Sequence, residues 1–218
     1  MLPALTFSSF TYLWVIVGHQ FICQVAQDRL SESAAAAVKE LLPAYAENDL
    51  STLCSWADRI KFRYRWSSEL HYIDTPDDLC TYNYNRDCKD EGGVRGRCVS
   101  GAITNYTNQL LTYGSSADEP QYNLTEALLF LSHLMGDIHQ SDWSDQVVKW
   151  EKCSNNDVTC PDIYASESIK AACNWAYKDV KNNTVLEDDY FLSRLPIVNL
   201  RLAESAVRLA ATLNRIFK

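Results

Sequence analysis

Apolar positions recur every three or four residues along most of this chain, and that spacing predicts helices joined by loops. Ala26 to Leu42 reads as one alanine-rich helix ended by Pro43. The Asn48-Asp49 pair divides it from a second helix that carries Trp56 and Ile60, with Asp49 or Ser51 as its cap. From Asp74 to Arg97 the pattern breaks into a long cysteine-pinned loop with Pro76, Gly92, Gly93 and Gly96. Val99 to Tyr113 resumes a helix, striped by Ile103, Tyr106, Leu110 and Leu111. Gly114 to Asn123 reads as a loop, and Asn123-Leu124-Thr125-Glu126 starts a helix running through Leu128, Leu131 and His133. Trp143 to Trp150 and Ala165 to Asp179 read as helical, separated by a loop from Asn155 to Asp162. The last helix, Tyr190 to Phe217, aligns Leu195, Val198, Leu202, Ala206, Leu209 and Leu213. There is no strand-like alternation and no internal repeat, so the expected class is an all-α domain with disulfide-pinned loops.

Composition narrows the class. A chain of 218 residues suffices for one domain with a substantial core, or for two small ones. Its net charge of −8 argues against a broad basic face for duplex DNA, although bound metal could supply local positive charge to a nucleic-acid substrate. The eight cysteines include no C-x-x-C pair, which disfavours a cysteine zinc knuckle. Close spacings, Cys88 to Cys98 and Cys153 to Cys160, suit small disulfide-closed loops and an oxidising compartment. Sequons at Asn105, Asn123 and Asn182 are candidate glycosylation sites pointing the same way. No charged residue occurs from Met1 to Gln27, as in a secretory leader, yet a basic start and a small-residue cleavage site are missing. A membrane anchor is the alternative, but Gly18, His19 and Gln20 interrupt the apolar run.

The segment Phe130 to Gln140 carries the chemistry. His133 and Asp137 stand four residues apart, so a helix stacks them on one face, where an imidazole and a carboxylate can share an ion. Such a pair also fits a half-buried histidine satisfied by its neighbour. His19 after Gly18, Asp58 in Ser55-Trp56-Ala57-Asp58, and His71 opening His71-Tyr72-Ile73-Asp74 are further candidates.

Five segments together resemble one family. They are Trp14-x-x-x-Gly18-His19-x-x-x-Cys23, Ser55 to Asp58 with Leu70 to Asp74, Cys98 to Tyr106, Phe130 to Gln140, and Asp188 to Pro196. In this order they resemble the S1/P1 nucleases, most closely their plant relatives, the secreted zinc-dependent bifunctional endonucleases. The resemblance implies a mainly helical domain over 14–218, preceded by a signal-like or altered segment 1–13. It also implies a three-zinc cleft acting on single-stranded RNA, single-stranded DNA and 3′-nucleotides to leave 5′-phosphates. In such a site a water between two zincs ~3.5–4 Å apart is activated to attack phosphorus. Carried over, Asp58, His71, His133 and Asp137 would hold one zinc; Trp14 and His19 would hold a second, bridged by Asp137. Asp58 and Asp137 would be the catalytic carboxylates, and Trp56, Tyr72 and Asn105 would line the substrate site. The implied disulfides are Cys23–Cys54, Cys80–Cys173, Cys88–Cys98 and Cys153–Cys160. The expected protein is a monomer in the secretory, vacuolar or extracellular route, with no stable membrane partner.

Two departures stand out. The family motif continues after His139-Gln140 with residues of a third zinc site, whereas here Gln140 runs into Ser141-Asp142-Trp143. An internal segment is therefore expected to be missing near 140–141, leaving two zinc sites at most and His139 as a bystander. Trp14 also follows Thr11-Tyr12-Leu13, an unusual context for a mature amino terminus. The competing readings are a catalytically impaired form and a zinc phospholipase C-like hydrolase, which shares this fold.

Overall fold

The computed structural model describes residues 7–76, 79–115, 121–139, 150–151, 153, 157–178, 180 and 185–218, with side chains from Ile16 onward. Among them there is no strand, only one isolated bridge between Lys89 and Arg95. The helices are α1 (Phe7–Gln27), α2 (Glu32–Leu41), α3 (Trp56–Ile60), α4 (Tyr84–Asp87), α5 (Val99–Leu110), α6 (Leu124–Asp137), α7 (Pro161–Ala171) and α8 (Asp188–Ile216). Short 3-10 turns at Ala44–Ala46, Leu50–Leu53 and Arg65–His71, and a π-helical turn at Ala172–Ala176, connect them.

The fold turns on α6. Every residue from Ala127 to Gly136 is buried, so this helix is enclosed on all sides rather than amphipathic. It packs against α5, α8, α1, α2 and α3. Phe130 anchors an aromatic cluster, stacked on Tyr106 at 4.8 Å and met edge-on by Trp56 at 5.3 Å. The Asn123 side chain starts α6 by accepting from the Glu126 amide, as its sequence position predicts.

Several boundaries differ from the periodicity. Ala26 and Gln27 end α1 rather than starting a helix, and α2 begins at Glu32. The Ser31 hydroxyl accepts from the Ala34 amide and so opens a new helix, a capping signal hidden by the alanine run. Within the expected loop before Arg97, Asn83 caps the short α4. α7 starts at Pro161, inside what read as loop, because proline tolerates the first helical turn where its missing N–H costs nothing. α8 starts two residues earlier than expected and runs through Pro196. The helix expected over 143–150 lies outside the described residues apart from Trp150.

All four implied disulfides are formed: Cys23–Cys54, Cys80–Cys173, Cys88–Cys98 and Cys153–Cys160. The first joins α1 to the turn just before α3 through two fully buried cysteines. The second ties the 74–97 loop to the π-helical turn after α7.

Candidate metal centre

Five side chains from four elements converge at the C-terminal end of α6. His133 and Asp137 come from α6, one turn apart; His19 comes from α1, Asp58 from α3, and His71 ends the 3-10 turn Arg65–His71. Asp137 is the hub. Its Oδ1 lies 3.3 Å from His19 Nε2, and its Oδ2 lies 2.9 Å from His71 Nδ1 and 3.2 Å from His133 Nε2. Asp58 Oδ1 stands 3.8 Å from His71 Nδ1 and 3.7 Å from His133 Nε2. Two donor groups result, His19–Asp58–His133 and His71–His133–Asp137, each with all donor atoms within 4.8 Å of one another.

The backbone sets the orientation of the central ring. His133 Nδ1–H donates to the Cys54 carbonyl at 2.8 Å, and Cys54 is fixed by its disulfide to Cys23. In the neutral ring that bond leaves the lone pair on Nε2, aimed into the cluster. His133 is fully buried and its Nε2 has no hydrogen-bond partner despite its short distances to the carboxylates. His19 stacks on it, ring centroids 3.9 Å apart. A buried nitrogen with a free lone pair, beside two carboxylates and two more imidazoles, is the donor set that suits a divalent cation such as zinc.

Electrostatics point the same way. Burial alone would raise the Asp137 carboxyl, but the positive charge His133 carries when protonated and the hydrogen bonds from His19 and His71 hold it well below the usual carboxylate range. Burial alone would lower His133, yet Asp137 and Asp58 pull it up instead. Two carboxylates in one recess thus draw positive charge, whether as protons on imidazole or as a metal ion.

Three contributors escaped the sequence reading. Gly136 is one: a β-carbon there would lie 2.5 Å from His19 Nδ1, so the absence of a side chain makes room for the ring. A glycine inside an apolar helix is the signal that could have found it. Lys61 is the second, its ammonium 2.9 Å from Asp58 Oδ1. The carbonyl of Cys54 is the third, and a backbone acceptor leaves no trace in side-chain pattern.

The other expected residues are dispersed. Trp14 lies within α1, but its side chain is outside the described residues. Trp56 turns its ring toward Phe130. Tyr72 is half exposed, donates its hydroxyl to Glu69, and lines a cavity of about 790 Å³ together with His71, Asp74, Asp137 and Ser168. Asn105 is exposed on α5 and is not among the residues lining that cavity. Asn123 is exposed as well, and Asn182 lies outside the described residues. His139 belongs to neither donor group. It is buried, donates Nδ1–H to the Met135 carbonyl at 2.7 Å and packs on Tyr164. Burial, with Arg208 and Arg201 nearby, holds it well below the usual histidine range.

Comparison with known proteins adds an independent line. The family model described as S1/P1 Nuclease matches this chain in two stretches, 14–141 and 140–218. "Endonuclease 2" of Arabidopsis thaliana is 52% identical over 264 aligned positions, covering 94% of this chain and 90% of the relative. The alignment is longer than the aligned part of this chain, since 94% of 218 residues is only about 205. "Nuclease P1" of Penicillium citrinum is 35% identical over 132 positions, covering 58% of this chain and 46% of the relative. "Nuclease S1" of Aspergillus oryzae is 31% identical over 141 positions, covering 62% and 46%.

Proposed function

The chain belongs to the S1/P1 nuclease family, hydrolases that act on nucleic acid, and from that premise we propose that it is a zinc-dependent, single-strand-specific endonuclease. Its substrates on this reading are single-stranded RNA, single-stranded DNA and 3′-nucleotides, and its products carry 5′-phosphates. The observation that carries the reading is the convergence of His19, Asp58, His71, His133 and Asp137 around one buried, unpartnered imidazole nitrogen. His133, His71, Asp58 and Asp137 would hold one ion, and His19 would share a second through Asp137. Zinc bound there supplies a Lewis acid that neutralises phosphate charge and lowers the pKa of water toward neutrality.

The chain's own residues do the rest. Asp137 offers one oxygen to His19 and the other to His71 and His133, so a single carboxylate orients three rings. The Cys54 carbonyl holds His133 in the tautomer whose Nε2 can bind metal. Lys61 balances Asp58 on its solvent side. The cavity beside His71 and Asp137, with exposed Tyr72 on its wall, has room for a nucleotide.

A second reading concerns completeness, and it is favoured by the two-stretch match that meets at 140–141. We infer that a segment present in relatives is missing there, and with it the donors of a third zinc, so that this form carries at most two and is catalytically impaired. Family membership weighs against a phospholipase C-like activity. Four disulfides support passage through the secretory route, and the protein is proposed to act as a monomer. Among the described residues no helix is long and apolar enough to cross a membrane.

The test is metal analysis together with cleavage of a labelled single-stranded oligonucleotide. Two zincs or fewer per chain, and zinc-restored cleavage with 5′-phosphate ends, are expected. Three tightly bound zincs would refute the incomplete site. Binding of zinc without any cleavage of RNA or DNA would refute the active-nuclease reading and leave the impaired form.

A further inference from the structure

Between Asp58 and His71 the chain reads Arg59-Ile60-Lys61-Phe62-Arg63-Tyr64-Arg65-Trp66. Four of the chain's twenty lysines and arginines fall in seven positions, and no acidic residue occurs from Arg59 to Ser68. In a protein of net charge −8 this is a local inversion of sign, and aromatics alternate with the cations. The structure leaves that inversion open to solvent. Arg59, Arg63 and Arg65 are exposed, and among the described residues none forms an ion pair. Phe62 is 82% exposed and Trp66 45% exposed, so both rings offer a face to a ligand.

The segment is also held in place. Arg97 donates to the Trp66 carbonyl at 2.9 Å, and the Ser67 hydroxyl donates to the Tyr64 carbonyl at 2.8 Å. Trp66 rests one side against Phe130, 5.8 Å between centroids, and lies 6.0 Å from Tyr64. Both ends of this strap are site residues: Asp58 precedes it, and His71 closes the turn that Arg65 opens. Lys61 is already engaged with Asp58, which leaves the three arginines and the two rings for something outside the centre.

We propose that the Arg59–Trp66 strap is a docking track for single-stranded polynucleotide flanking the scissile nucleotide, with Arg59, Arg63 and Arg65 on successive phosphates and Phe62 and Trp66 stacking on bases. The proposal rests on the nuclease reading above. Cations with interleaved aromatics are the recipe for sequence-tolerant binding of single strands, because every phosphate is charged and every base has a π-face. A duplex hides those faces, so the track favours unpaired strands. It would also supply locally the positive potential that an acidic protein otherwise lacks for attracting its substrate.

The test separates binding from cleavage. Fluorescein-labelled dT12 is titrated with the full chain in EDTA, by anisotropy, at several salt concentrations. Three phosphate contacts predict a slope of log K against log salt of about −2 for a single strand. Arg63→Glu with Arg65→Glu should reduce that slope by about 1.4 and weaken binding at least tenfold at low salt. Phe62→Ala, at a side chain with almost nothing to unpack, should weaken binding about tenfold with the slope unchanged. It keeps the test decisive if the double variant misfolds. Wild-type binding of all these variants, or blunt duplex bound as tightly as dT12, overturns the proposal. Cleavage of the same oligonucleotide by zinc-loaded wild type is scored separately. Intact binding that fails in the variants, with no cleavage, counts against the activity and for the track; intact cleavage with variants that bind normally counts against the track alone.

Discussion

Gly136→Ala sets two known effects against each other at the metal centre. Alanine in a helix interior is favoured over glycine by about 1 kcal/mol, so propensity alone predicts a more stable protein. The new β-carbon, however, would lie 2.5 Å from His19 Nδ1, 2.7 Å from its Cε1 and 3.2 Å from Ile22 Cδ1. The first two distances are impossible, so the His19 ring has to leave. It cannot slide toward His133, which it already stacks on at 3.9 Å. Nor can α1 retreat freely, because it packs along α8. Overpacking of this kind costs about 1–3 kcal/mol. The two terms leave a net loss of roughly 0–2 kcal/mol. In a protein of this size that is a few degrees in the unfolding midpoint without metal. The site loses far more, since the His19–Asp137 contact cannot survive the displacement. Displacing an orienting or ligating group typically costs 10–100-fold in metal affinity, and that loss is expected here for the ion shared through Asp137.

Differential scanning calorimetry in EDTA and then with zinc, beside isothermal titration with zinc, reads both quantities. The expected pattern is a small shift without metal and a largely lost stabilisation with it. Wild-type zinc affinity in Gly136→Ala, or a metal-free midpoint raised by the full alanine preference, would refute the claim that Gly136 exists to admit His19.

Other substitutions test the surrounding frame. Glu204→Gln removes the buried one of the two carboxylates that Arg201 and Arg208 share, leaving them only the partly exposed Glu167, and should cost about 1–3 kcal/mol by chemical denaturation; a loss too small to measure would show that Glu167 alone balances both cations. Replacing Cys23 and Cys54 together by alanine opens a link of sequence separation 31, for which loop-closure entropy predicts about 3–4 kcal/mol, and it should lower zinc affinity as well because the Cys54 carbonyl orients His133. His133→Ala and Asp137→Ala should abolish zinc binding and any cleavage, whereas His139→Ala should cost about 2–3 kcal/mol in packing and keep zinc affinity near wild type. If His139→Ala loses zinc as Asp137→Ala does while still folded by circular dichroism, His139 is a ligand after all.

Long, strongly patterned elements were legible from sequence, and short capped ones were not. α5 and α6 follow from their apolar spacing because tertiary packing and propensity agree there. The Ala26–Leu42 reading failed where they disagree: alanine favours helix throughout, but Ser31 captures the Ala34 amide and restarts the chain in a new direction. The uncharged N-terminal stretch carries little local signal beyond a leader-like segment over 1–13; in the structure α1 packs along α8, with Ile22, Cys23 and Ala26 in the core. Of the site, only His133 and Asp137 have a spacing that places them on one face. Asp58 and His71 reach the same point from a short helix and a 3-10 turn, and their convergence is a property of the fold that no local pattern carries. Their identification came from resemblance. Gly136 and the Cys54 carbonyl were invisible for a simpler reason, since one acts by having no side chain and the other by its backbone.

The position of Asp137 makes the second half of the chain part of the site. A carboxylate at the C-terminal end of a helix faces the negative end of the helix dipole, which disfavours it. The last carbonyls of α6 also lack helical donors. Beside His139, residues from beyond Gln140 meet both problems. Ser205 of α8 donates to the Met135 carbonyl at 3.0 Å, Ser168 of α7 donates to the Ile138 carbonyl, and Arg201 Nε donates to the His139 carbonyl at 2.7 Å. Arg201 also donates to Ser168 at 2.6 Å, so its cation sits at the negative end of α6 and ties α7 to α8. Side-chain donors to this helix end and the carbonyls just past it thus include Ser168, Arg201 and Ser205 from the stretch 140–218, while the candidate ligands His19, Asp58, His71, His133 and Asp137 all lie in 14–141. A chain joined differently near 140 retains its five donors only if α7 and α8 still dock on that helix end. Arg201→Met is the direct probe of that dependence. It leaves the His139 carbonyl without its Arg201 donor, Ser168 without the guanidinium that holds it, and Glu204 buried without one partner, and it should lower zinc affinity without touching a candidate ligand. Arg201→Lys, which restores the charge but only part of the fork of donors, should recover some of it. Zinc affinity unchanged in Arg201→Met would mean that α6 holds Asp137 in place unaided.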